Sequence, residues 1–142
     1  MYDQANRPMK LTTPLGANAL LLVALQGREA VSHMFHFNLR TVWVDANKLL
    51  PFDQLLGQKV ALGITTHEQT RYFAGIVSRV VQRERDEHFT YYALEVVPEL
   101  WLLDRKMCSR TFQHVTVPDI LQTLFTGLDV SYQTEGTFEP RD

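Results

Sequence analysis

Period-two alternation of apolar and polar side chains is the dominant pattern along this chain. In the run MFHFNLRTVWV, Phe35, Phe37 and Leu39 alternate with His36, Asn38 and Arg40. On a strand this sends the first set to a core face and the second toward water. Val60, Leu62 and Ile64 alternate in the same way with Ala61, Gly63 and Thr65. Shorter strand-like stretches come first, at 9–13, closed by the turn Pro14-Leu15-Gly16, and at 20–28. Residues 45–57 break the pattern, and PFDQLLG reads as one helical turn with Pro51 near its start and Gly57 ending it.

A long hairpin is expected next, with 71–83 running up, ERDEH turning at the tip and 89–103 running down. A tip centred near Asp86 sets Val80 opposite Tyr92, Ser78 opposite Leu94 and Ile76 opposite Val96. Phe73, Val77 and Val81 then share the other face with Tyr91, Ala93 and Val97, where Arg79 and Glu95 can pair diagonally. Both faces carry apolar bulk, whereas an antiparallel hairpin with one wet face alternates more cleanly. Something is therefore expected to cover the second face. Gly75, inside a strong strand, points to a bend, a bulge or close approach by another backbone.

Thr116 and Asp119 have the spacing of a capping box, with Pro118 in the first turn. Ile120, Leu121, Leu124 and Phe125 form one stripe of the helix after it, and Gly127 is placed to end it. The last stretch, LDVSYQTEGTFEPRD, begins like another strand, so the chain reads as a fragment. Strands first, one long hairpin and one substantial helix define a mainly β fold, a barrel or sandwich.

Composition narrows the function. A chain of 142 residues suits one domain, or one domain and the start of another, and 45% hydrophobic residues suffice for a core. A net charge of −2 supplies no field to draw in nucleic acid or an anionic membrane. Cys108 is the single cysteine, which rules out an internal disulfide and a zinc site on paired thiolates. MYDQANRPMK lacks the apolar core of a signal peptide, and the run 17–25 falls short of the roughly 20 residues that cross a bilayer. Assembly in the cytoplasm is the expectation.

Candidate chemistry is sparse. His33 and His36 point to opposite faces of a strand, while His67, His88 and His114 are scattered over loops. Glu84, Asp86 and Glu87 lie among Arg83, Arg85 and His88 at a hairpin tip, where exposure leaves carboxylates unshifted. Cys108 has cations nearby in Arg105, Lys106 and Arg110, which favour a thiolate, but no base is placed beside it. There is no phosphate-cradling glycine loop and no G-x-S-x-G elbow. The expectation is no catalytic, cofactor-binding or metal-binding residue.

LLGQKVAL, RYFAGIVSRV, YYALEVVPELWLLDR and SRTFQHVTVPDIL, in that order, resemble the N-terminal region of the VgrG family, the spike proteins of type VI secretion. They are similar also to the hub at the base of contractile phage tails. The likeness runs over 9–125 and is most specific at Arg71-Tyr72-Phe73 with Gly75, from Val97-Pro98 to Leu103, and from Ser109 to Leu121. Glu99 departs from it, since the family often carries a bulky residue there.

The resemblance implies a flexible N-terminus at 1–8 and a tail-hub-like β-barrel at 9–104. It implies a connecting helix and the start of a truncated second barrel at 105–142. It implies a non-enzymatic homotrimer, two barrels per subunit, in a pseudo-sixfold ring that docks on the Hcp tube. Effector or adaptor proteins and a spike-tip protein would bind through regions beyond this chain. No cofactor, nucleic acid or membrane anchor is implied, and export would use the type VI apparatus. Pro98, lacking an N–H, would mark where the strand leaves the first barrel, with Trp101 and its leucines packing at the join. A phage baseplate hub is the alternative on the same fold. A cell-wall hydrolase resting on Cys108 or on Glu84 to Glu87 is a different class.

Overall fold

A computed structural model describes residues 2–45, 48–67 and 69–140. The alternating segments become β1 (Met9–Thr12), β2 (Leu20–Ala30), β3 (His33–Trp43), β4 (Lys59–Thr65), β5 (Thr70–Arg85) and β6 (Thr90–Val97). They pair antiparallel in one sheet of order β1-β4-β5-β6-β3-β2. The sheet curls into a half-barrel, bringing β1 and β2, the two ends of that order, close together. The chain divides into two compact units, Met1–Pro98 and Glu99–Asp142. All six strands belong to the first.

Phe37, Leu39, Val60 and Leu62 enter the core with Leu11, Leu20, Leu22, Val77, Tyr92, Leu94 and Val96, while His36, Asn38 and Arg40 stay exposed. Phe35 packs against this cluster from its edge. PFDQLLG forms the expected single turn, a 3-10 helix at Phe52–Gln54 that delivers fully buried Leu55 to the core. Gly57, at φ +75°, then turns the chain so that its N–H reaches the Val77 carbonyl at 2.8 Å.

The hairpin differs from its expected register. Val80 pairs with Leu94 and Val81 with Ala93, two positions from the symmetric register, so the faces there are as expected. Nearer the tip the ladder shifts between Gln82 and Arg85, where Arg85 pairs with Thr90. Between Val77 and Arg79 the ladder shifts by one, and below that bulge Val77 faces Val96 and Ile76 faces Val97. One extra residue at Ser78 exchanges the faces of everything before it. Phe73 and Val77, expected on the second face, therefore join the core, and Ile76 turns away from it. Arg79 and Glu95 stand directly opposite rather than diagonal, 3.1 Å apart.

β6 also ends sooner than 103. Its ladder stops at Val97, because Pro98 has no N–H to continue it. Residues 2–8, expected to be flexible, are instead held: Gln4 is 4% exposed and bonded to both β1 and β2.

In the second unit, Trp101–Asp104 forms the short helix α1, where an extended strand was expected, and Arg105 stacks on Trp101 at 4.4 Å. Helix α2 spans Val117–Leu124 with the full capping box: the Asp119 N–H donates to the Thr116 hydroxyl while the Asp119 carboxylate accepts from the Thr116 N–H. Gly127 comes next at φ +88°. The strand anticipated after it does not form among the described residues. No described residue of this unit is buried.

Candidate functional surface

Gly75 carries the close approach that its position suggested. A Cβ there would lie 2.5 Å from the Val97 carbonyl oxygen and 3.1 Å from the Phe35 ring. Where β6 ends, side chains join β3 to β5 instead. Phe73 meets Phe37 edge-on at 4.9 Å and Phe35 at 6.0 Å. Arg71 covers the Phe73 ring at 4.9 Å and reaches both carboxylate oxygens of Glu29 on β2 at 3.0 Å. Tyr72, between them, points outward, is 76% exposed and lies over Gly63. The Arg71-Tyr72-Phe73 block thus splits into a clasp, made by Arg71 and Phe73, and a projecting ring.

The outer face of β3, β6 and β5 is a ribbon of charge. Glu95 accepts from Arg79 at 3.1 Å and lies 3.8 Å from His36 Nε2. Arg40 pairs with Glu84 and stacks over Tyr91 at 4.9 Å. The apolar second face expected for the hairpin is therefore polar toward the tip. Below the bulge its apolar part is real, since Ile76 and Val97 face each other at 3% and 4% exposure.

The tip is an aspartate turn. Asp86 accepts from the N–H groups of His88 at 2.8 Å and Phe89 at 2.7 Å, and these bonds hold its carboxyl below the usual aspartate range. Tyr91, bonded to Asp86, is raised by that contact. A hydrogen bond from its own backbone N–H, helped by Arg40, lowers Glu84. Exposure was expected to leave these carboxylates unshifted, and short-range hydrogen bonds shift two of them regardless. The bonds of Asp86 and Glu84 are spent on the turn and on Arg40. Cys108 is exposed in the second unit. Among the described residues no three His, Cys, Asp or Glu side chains gather as a metal site. No described helix is long and apolar enough to cross a membrane.

An open groove at one end of the barrel is lined by Tyr2, Leu15, Ala19, Trp43, Leu49 and Pro51. Leu49 is 81% exposed there, and Val31, at the β2–β3 turn, is 94% exposed. Sequence reading missed Gln4 and the Arg71–Glu29 pair, because each depends on contacts between distant strands. The outward turn of Tyr72 could have been read from its alternation with Phe73.

The curled antiparallel half-barrel, with its aromatic clasp, has the fold of tail-hub proteins. Residues 28–142 match the phage tail baseplate hub (GPD) family, and the chain belongs to that family. It is 36% identical over 132 residues, 92% of its length, to the type VI secretion system spike protein VgrG1c of Pseudomonas aeruginosa. It is 36% identical over 129 residues to VgrG1b of the same organism. The chain spans 18% and 17% of those two proteins. Among solved structures it is similar to an E. coli component of the type VI secretion system that itself resembles T4 bacteriophage tail proteins gp27 and gp5. There the TM-score is 0.76 at 17% identity, over 94% of this chain and 37% of that one.

Proposed function

We propose that this chain is the N-terminal, hub-like part of a type VI secretion spike and that it is an assembly domain, not an enzyme. The observation that carries the reading is the 36% identity to a spike protein across 92% of the chain. In this reading three copies form the base of the spike and dock on the Hcp tube. The unit Glu99–Asp142 begins the second domain, and effectors, adaptors and a tip protein engage parts beyond this chain. Assembly takes place in the cytoplasm, and the finished spike leaves through the secretion apparatus.

The natural protein that carries this sequence provides the test. Size-exclusion chromatography with light scattering should report a trimer, and immobilised trimer should retain purified Hcp rings. A strictly monomeric protein that ignores Hcp would remove the proposal. A phage baseplate hub is the second reading, favoured by the name of the matched family. Recovery of the protein in purified tail particles, in a strain whose Hcp secretion survives its deletion, would select that reading.

A further inference from the structure

β1 and β2 come together at the ends of the strand order, yet among the described residues no ladder joins them. The Gln4 side chain fills the gap. Its Nε2 donates to the carbonyls of Leu11 at 3.0 Å and Ala17 at 2.9 Å, with the Leu20 carbonyl at 3.4 Å. Its Oε1 accepts from the Leu11 N–H at 2.9 Å and faces the Leu22 N–H at 3.5 Å. A carboxamide offers the donor and acceptor of a peptide unit plus one further N–H. Gln4 thus does between the two strands what one peptide unit of an intervening strand would do.

Its own segment is pinned at intervals. The Gln4 N–H donates to Asn18 Oδ1 at 3.1 Å, Arg7 Nη1 to the Leu22 carbonyl at 3.1 Å, and the Thr65 N–H to the Pro8 carbonyl at 2.7 Å. Tyr2 packs edge-on against Phe89 of the hairpin tip at 4.9 Å.

We propose that residues 2–8 form a strap whose Gln4 carboxamide latches the barrel shut, and that the β1–β2 seam is where the barrel opens first. Elsewhere each strand is held by a run of ladder bonds, which break together, whereas the seam hangs on one side chain and its neighbours. The inference concerns the barrel alone and stands or falls independently of the spike reading.

Amide hydrogen exchange resolved by NMR tests it on the full chain with Gln4→Ala. Thr12 and Leu21 are the reporters, since they sit in the β4 and β3 ladders and Gln4 does not bond them. Their exchange should accelerate roughly 10- to 100-fold, while Leu39 and Leu94 in the middle of the sheet keep their rates. Equal acceleration at all four amides, or none at Thr12 and Leu21, would overturn the proposal. If Gln4→Ala does not fold, exchange of the unaltered chain in mild denaturant decides. The Leu11 and Leu22 amides must then open at lower free energy than Leu39 and Leu94, and equal values overturn it.

Discussion

At Val77 and Val81 the same side chain has opposite surroundings four positions apart on one strand. Val77 has no solvent exposure and packs in the core cluster, while Val81 pairs with Ala93 on the face that carries the Arg79–Glu95 ion pair. A carboxylate at Val77 would be buried without a partner, which costs far more than the loss of the apolar contact. Val77→Asp should therefore destabilise the first unit by more than about 3 kcal/mol. Val81→Asp should change stability by less than about 1 kcal/mol. Chemical denaturation of the two variants makes the comparison. Equal losses would mean that the bulge at Ser78 is misplaced and the faces run through without exchange. Gly75 makes a related point, since a methyl group there meets a carbonyl oxygen that cannot move without disturbing the β5–β6 ladder.

Among the elements, α2 shows the simplest passage from sequence to structure. Its cap is local, fixed by the Thr116–Asp119 spacing, and the helix appears where that spacing places it. Thr116→Ala should cost the helix about 1 kcal/mol, seen as lost ellipticity and faster exchange at the Asp119 amide. An unchanged Asp119 amide would remove the cap from the account. The β5–β6 tip is equally local. Because the folded Asp86 carboxyl titrates below its unfolded value, it adds stability that is full above the unfolded value and is lost as pH falls through the folded one. Asp86→Ala should therefore destabilise the hairpin near neutrality, and the difference from the unaltered protein should shrink on acidification. A carboxyl NMR titration that places Asp86 at or above free aspartate would contradict this. The alternation of Phe35 to Arg40 and of Val60 to Thr65 was legible for the same reason as the cap: strand faces are set by neighbours in sequence. What was not legible is non-local. The bulge at Ser78 answers to pairing across β6, the clasp of Arg71 with Glu29 spans two hairpins, and Gln4 closes a gap that exists only once the sheet has curled. The stretch after Pro98 misled because Leu100 to Leu103 is apolar enough for a strand, while its backbone closes helical turns from Glu99 and Leu100.

Across the whole molecule, buried residues are distributed unevenly between the two units. Among the described residues, every buried apolar side chain, from Leu11 to Val97, lies in Met1–Pro98. In Glu99–Asp142 the apolar stripe of α2 is no better than partly covered, with Leu121 at 37% exposure. Phe125 stacks on Tyr132 at 6.4 Å, and the Glu99 carboxylate accepts from the Asp129 N–H at 3.4 Å. Apolar burial supplies the free energy that opposes chain entropy, and a piece of this size without a core has little to set against it. The first unit has a closed leucine and aromatic core and ladders on both sides of β3, β4, β5 and β6. A chain ending after Pro98 should accordingly unfold in one cooperative thermal transition with the β-type circular dichroism of the parent. A peptide of residues 99–142 should show no cooperative transition, even though its capped helix forms in part. This is the pattern expected if the second unit acquires its core from a larger assembly, as in the proposed spike. A sharp melting transition in the 99–142 peptide would show that the unit carries its own stability, and a molten 1–98 chain would show that the barrel depends on the residues after Pro98.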